Sequence, residues 1–176
     1  VYKYIRKSKA ERSFNYATRL LENDIQTPEP IAYIEIDEKG LLSHSYYISI
    51  HEPVDGTIRD IYSNPVNESK DLLRAFTVFT AELHNRGIFH KDYSPGNILY
   101  KKDGDKYRFY LVDLNRIEFK RINILKGCKN FCRIPIDKNM LENIVKEYAA
   151  MRKYNKSICE KLINYYNQSF WKKHLY

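Results

Sequence analysis

The sequence predicts an α+β fold, a small antiparallel lobe over residues 1 to about 50 followed by a mainly helical lobe over residues 51–176. Apolar residues recur at helical spacing in several stretches, and two pairs of β-rich runs are each joined by a turn containing Gly. Bulk properties supply the third observation. At 176 residues and 43% hydrophobic content the chain can bury one core and is too short to suggest two domains.

The elements follow in order. Ser8 is a candidate N-cap with Glu11 three residues on, and Ala10, Phe14, Ala17, Leu20 and Leu21 form one stripe of a helix. Thr27-Pro28-Glu29-Pro30 then blocks helix and launches a strand over Ile31-Ala32-Tyr33-Ile34-Glu35-Ile36. The turn Asp37-Glu38-Lys39-Gly40 leads to a second strand around Ser45 to Ile50, completing a hairpin. A linker containing Pro53, Gly56 and Pro65 precedes a long helix from about Ser69 to Arg86, with Leu72, Leu73, Phe76, Phe79 and Leu83 on one face and Gly87 as its stop. After a polar loop, Ile98-Leu99-Tyr100 and Tyr107 to Val112 read as a second hairpin turning at Lys102-Asp103-Gly104-Asp105. Apolar spacing predicts two further helices, Asp137 to Lys153 and Ser157 to about Lys172.

Composition narrows the setting. No stretch approaches the roughly 18 apolar residues of a membrane span, and no apolar signal core follows Val1, so a cytoplasmic protein is expected. Cys128, Cys132 and Cys159 are odd in number and lack nearby metal partners, so reduced, buried thiols are expected rather than disulfides or zinc. The net charge of +8 favours anionic partners, among them nucleotides, phosphosugars and acidic lipid surfaces. Much of it lies in Lys3 to Arg12 and Lys120 to Arg133, where a solvated basic face is the plain alternative.

The residues that carry chemistry lie between the long helix and the second hairpin. Phosphoryl transfer asks a protein to orient a hydroxyl nucleophile and to hold Mg²⁺ against phosphate oxygens. His90, Asp92 and Asn97 meet the pattern H-x-D-x-x-x-x-N, and the hairpin that follows ends on Asp113. On this reading Asp92 takes the proton of the acceptor hydroxyl, while Asn97 and Asp113 supply an amide and a carboxylate oxygen to Mg²⁺ and thereby bind the nucleotide. His90 reads as a scaffold of the same catalytic loop, its ring bonding backbone near Asp113. Lys91 has two readings, a phosphate contact or a solvated cation. The alternative for the whole pattern is an ordinary polar turn after a helix, with Asp113 ending a strand.

The run His90-Lys91-Asp92-Tyr93-Ser94-Pro95-Gly96-Asn97-Ile98-Leu99, the sequence Val112-Asp113-Leu114-Asn115-Arg116, and Ser8 to Phe14 before Thr27-Pro28-Glu29-Pro30 together resemble the lipopolysaccharide kinase family. These are the bacterial Kdo and core-heptose kinases, and the resemblance spans essentially the whole chain. It implies a protein-kinase-like fold, ATP and Mg²⁺ as cofactors, and transfer of the ATP γ-phosphate to a sugar hydroxyl of the lipopolysaccharide inner core. It further implies a lipopolysaccharide precursor glycolipid as acceptor, contact with the anionic surface of the inner membrane, and no nucleic acid partner. Nucleotide is expected near Ile50-His51-Glu52, between the lobes.

Two parts of a kinase site are not legible here: a glycine-rich loop over the phosphates and a strand lysine. Lys3 lies only eight residues before Glu11, too close for the usual separation, so both parts are expected upstream of Val1 and the domain is expected to be truncated at its N-terminus. Glu11 is expected to cap its helix rather than pair with that lysine. Three rivals follow: a kinase of the same fold acting on a small molecule or protein, decided by an acceptor screen; a binding-only pseudokinase, decided by whether a strand lysine is encoded upstream; and a basic nucleic-acid module, which lacks any familiar recognition motif.

Overall fold

The computed structural model describes residues 7–63 and 66–174, the side chains of residues 66–68 excepted. Lys3 and Pro65 therefore lie outside the described residues. Helix α1 (Lys9–Leu21) begins where Ser8 Oγ accepts the Glu11 N–H at 2.9 Å, as the capping pattern predicts. The Glu11 carboxylate itself meets Lys7 Nζ at 2.8 Å. Ala10, Ala17 and Leu20 are buried, and Phe14 stands 5.6 Å from the Tyr33 ring on the hairpin that follows.

That hairpin pairs β1 (Pro30–Glu38) with β2 (Leu41–Ser49) in antiparallel register. Lys39 and Gly40 both have positive φ, 51° and 77°, the primed turn whose twist matches two-residue hairpins. The second strand thus begins four residues before the expected Ser45. Among the described residues this sheet has two strands, and Ile34, Ile36, Leu41 and Ile48 on it are exposed.

The stretch expected as a linker has structure of its own. Strand β3 (Gly56–Thr57) pairs antiparallel with the later strand over Ile98–Asp103, at the edge of its sheet, and a 3₁₀ turn (Ile58–Tyr62) follows it. A capping box holds this turn: Arg59 N–H donates to Thr57 Oγ1, and Thr57 N–H donates to the Asp60 carboxylate at 3.1 Å. Ile58 and Ile61 are buried beneath it.

Helix α2 (Val66–Asn85) buries the expected stripe of Leu72, Leu73, Phe76, Phe79 and Leu83, which is the spine of the core. It stops at Gly87, whose φ of +72° suits a residue without Cβ. The chain then forms β4 (Ile88–His90), the catalytic-loop candidate, and the hairpin β5 (Ile98–Asp103) with β6 (Lys106–Leu111). Strand β7 (Ile117–Phe119) returns to pair with β4, placing His90 opposite Ile117.

The basic stretch from Lys120 folds into α3 (Ile124–Lys129) and a 3₁₀ turn (Asn130–Arg133), with Asn123 capping the helix. It is therefore not merely a solvated face, since Cys128, Asn130 and Phe131 are buried within it. Helices α4 (Lys138–Arg152) and α5 (Lys156–His174) close the core where two helices were expected, and Asp137 caps α4 by accepting the Met140 N–H at 2.8 Å. All three cysteines are free thiols. Cys128 and Cys159 are buried, and burial pushes the Cys132 thiol up, which disfavours the reactive thiolate.

Candidate active site

The loop between β4 and β5 is fixed from below by Tyr93. Its ring is buried against Phe76 at 5.7 Å, and its hydroxyl lies 2.9 Å from Thr80 Oγ1 on α2. Burying an aromatic ring of this size contributes on the order of 3 kcal/mol, so the loop is anchored at its middle. Pro95–Asn97 makes a 3₁₀ turn, with Asn97 N–H donating to Ser94 O at 3.0 Å. The Asp92 carbonyl accepts twice across the loop, from Ser94 N–H at 2.8 Å and from Asn97 Nδ2 at 2.8 Å.

That last bond orients the Asn97 amide. Because its NH₂ group donates to the Asp92 carbonyl, the amide oxygen is the atom that could serve as a ligand. Val112 N–H donates to Asn97 O at 3.1 Å, which brings Asp113 to within one residue of Asn97. Asp113 adopts φ 54°, ψ 52°, a left-handed conformation that Asp tolerates better than most residues with a Cβ. Its carboxylate accepts from Asn115 Nδ2 at 2.6 Å and is exposed.

His90 occupies the scaffold position expected for it. Its Nε2 lies 2.9 Å from Val112 O and its Nδ1 accepts the Asp92 N–H at 3.1 Å, so the proton belongs on Nε2 and the ring is neutral. Burial holds its pKa below the ordinary value, with the bond to Val112 opposing. One buried ring thus ties the segment of Asp92 to the segment of Asp113.

Behind it runs a polar network that the sequence did not announce. His84 on α2 meets Tyr148 OH on α4 at 2.7 Å and Asn130 Oδ1 at 2.9 Å, and Asn130 Nδ2 donates to His90 O at 2.9 Å. Each partner is buried and satisfied, which rigidifies the loop from the core side.

The charged shell around Asp92 also goes beyond the sequence reading. Asp92 Oδ1 meets Arg133 Nη1 at 2.8 Å, and its Oδ2 meets Arg116 Nη1 at 3.6 Å. Lys91 points away from both, to Glu118 Oε1 at 2.6 Å, where Lys120 at 2.7 Å and Lys126 also converge. These lysines, Lys120 foremost, pull the Glu118 carboxyl down to about 2. Arg116 lay within the Asp113-Leu114-Asn115-Arg116 motif, while Arg133 was visible only as one cation of the second basic stretch.

The structure therefore brings His90, Asp92, Asn97 and Asp113 together and turns Lys91 toward a neighbouring cluster. Among the described residues no group of three or more His, Cys, Asp or Glu could hold a metal ion alone. One amide oxygen and one carboxylate nevertheless suit Mg²⁺, which takes its remaining ligands from phosphate and water. No described helix is long and apolar enough to cross a membrane.

Comparison with known proteins places the fold and the family. The family model described as lipopolysaccharide kinase (Kdo/WaaP) family matches residues 1–157. No curated protein sequence matches significantly. Among solved structures the chain is similar to WaaP in complex with acyl carrier protein, with a TM-score of 0.66 and 16% identity over 92% of this chain and 76% of that one. It also has a weaker likeness, TM-score 0.43 and 18% identity over 88% and 44% of the two chains, to the Rio2 kinase ADP/Mg²⁺-phosphoaspartate complex from Chaetomium thermophilum. With a match over residues 1–157, the chain belongs to the lipopolysaccharide kinase (Kdo/WaaP) family and is an ATP-dependent kinase of protein-kinase-like fold directed at the lipopolysaccharide core.

Proposed function

We propose that this kinase transfers the ATP γ-phosphate to a hydroxyl of an inner-core sugar, Kdo or heptose, with Asp92 as the base. The observation that carries the reading is the buried His90 ring, bonded to both Asp92 N–H and Val112 O, which locks Asp92 beside Asn97 and Asp113. Asp92 orients the acceptor hydroxyl and takes its proton as the oxygen attacks phosphorus, and the bond to the ADP oxygen breaks. Arg116 and Arg133 hold its carboxylate in place. Asn97 and Asp113 would hold Mg²⁺, which when bound offsets negative charge on the phosphates. Lys91 pairs with Glu118 rather than with Asp92, so it is not assigned a part in the proton transfer.

The basic excess of the sequence suits a glycolipid acceptor bearing carboxylate and phosphate, presented at the anionic inner face of the inner membrane. The test is transfer from labelled ATP by the full-length gene product to purified lipopolysaccharide precursors carrying Kdo alone or Kdo with heptose. Label should enter the core sugars of at least one. Label in neither, with a small molecule or protein labelled instead, would overturn the acceptor class.

A further inference from the structure

A second recess opens beside Asp92, on the side of α3. It is a cavity of about 620 Å³ whose polar lining includes Lys91, Arg116, Asn123, Lys126, Lys129 and Arg133, and no Asp or Glu lines it. Its composition is unlike that of the recess of about 730 Å³ across the molecule, where Arg74, Arg86 and Arg108 alternate with Asp71, Glu82 and Asp105. A wall of cations without interspersed carboxylates keeps its field, whereas a mixed wall cancels it.

The cations are held in place by what lies behind them. Lys91 and Lys126 are drawn to Glu118 from one side, and Arg133 and Arg116 to Asp92 from the other. Lys126 also lies over the Phe89 ring at 4.4 Å, and Arg133 over the Phe170 ring at 5.3 Å. Two carboxylates thus face this group of lysines and arginines, leaving an excess of positive charge directed at the recess. Burial moreover holds the Lys126 pKa below its ordinary value, so a second anion nearby would be favoured. Among the described residues no carboxylate pairs with Lys129, whose ammonium is exposed at the rim.

We propose that this recess is an anion subsite that binds a carboxylate or phosphate substituent of the acceptor, next to the hydroxyl that Asp92 deprotonates. The assignment rests on the reading of Asp92 as base. Arg133 is the link between the two positions, since one of its nitrogens meets Asp92 at 2.8 Å and the same residue lines the recess, with a guanidinium that carries five donors. The anion and the reacting hydroxyl therefore sit a guanidinium's width apart, on one sugar or on two joined directly. An anion seated there also shares Arg133 with Asp92, and so lessens the hold of that guanidinium on the base when the acceptor is bound. A neutral acceptor would leave Asp92 fully paired.

Lys129 is the residue to change, because it touches neither Asp92 nor Glu118. In the full-length protein, kcat/KM is measured for wild type, Lys129→Ala and, as a control on the exposed face of α4, Lys146→Ala. Three acceptors are compared: native precursor, precursor stripped of phosphate, and precursor with its Kdo carboxyl reduced to the alcohol. Lys129→Ala should lose about tenfold with native acceptor, the scale of one charge-assisted bond. It should lose little further with whichever modified acceptor lacks the recognised anion, and that arm identifies carboxylate or phosphate as its source. An undiminished kcat/KM, or the same fold loss with all three acceptors, would overturn the subsite.

If wild type transfers to none of them, the acceptor reading fails and the site is judged by titration with inorganic phosphate and with acetate. Shifts of the Asn123 and Lys129 backbone amides that weaken in Lys129→Ala would uphold an anion site. Shifts that do not change on substitution, or no shifts, would end it.

Discussion

Gly127 shows how a single hydrogen atom in place of a side chain can hold a site together. A Cβ there would lie 2.0 Å from Tyr148 OH and 3.3 Å from His84 Nδ1, so this glycine leaves room for their hydrogen bond. Ala in a helix gains up to about 1 kcal/mol over Gly, but displacing the hydroxyl leaves buried polar groups unpaired at a cost of roughly 1–3 kcal/mol. Gly127→Ala should therefore lower stability by about 1 kcal/mol or more in urea unfolding. In a Tyr148→Phe background the same change should cost much less, because the hydroxyl is already gone. Equal losses in both backgrounds would show that the contact does not govern this position. Nothing in the sequence around Gly127 announced this role, since a helical glycine acquires meaning only from the residue packed across from it. Asp92, Asn97 and Asp113 were legible for the opposite reason: their spacing is set by one loop and one hairpin.

At the scale of elements, long periodic segments were readable and short ones were not. Helices α1, α2, α4 and α5 and both hairpins follow from apolar spacing and turn residues. Strands β4 and β7 are three residues each and carry no periodicity, and their pairing joins residues as distant as Ile88 and Phe119. The 3₁₀ turn after β3 was missed because Pro53, Gly56 and Pro65 read as a linker, although Thr57 and Asp60 form its capping box.

The network joining α2, α4 and the segment after α3 has a pH signature. Burial lowers the His84 pKa to about 4, against 6.5 in the unfolded chain. Below pH 6.5 the unfolded state binds the proton first, so this contribution is complete above 6.5 and is lost as pH falls toward 4. Its full size is on the order of 3 kcal/mol. The thermal midpoint of the wild type should fall between pH 6.5 and 5, above the range where most carboxylates titrate. His84→Gln should flatten that slope, and an unchanged slope would show that His84 is not the group responsible.

For the whole molecule, the arrangement matters more than any one contact. Helix α1 lies between the hairpin and the Asp113 segment, with Tyr16 edge-on to Phe119 at 5.4 Å and Arg19 over the same ring at 3.9 Å. The backbone of Leu111 accepts from Thr27 Oγ1 at 2.7 Å, and its N–H donates to Gln26 O at 3.0 Å. The small lobe therefore grips the strand that delivers Asp113. The α+β division was legible in the sequence, whereas the clustering of Arg116 and Arg133 on Asp92 was not, because it depends on how α3 folds back over the loop.

On the proposed role Asp92 performs the chemistry without being needed to bind nucleotide, and Asp92→Ala in the full-length protein separates the two. Transfer of label from ATP to acceptor and equilibrium binding of ATP are measured side by side. Transfer should fall at least about a hundredfold, as for loss of a general base, while ATP binding stays detectable. Turnover retained near the wild-type level would contradict it.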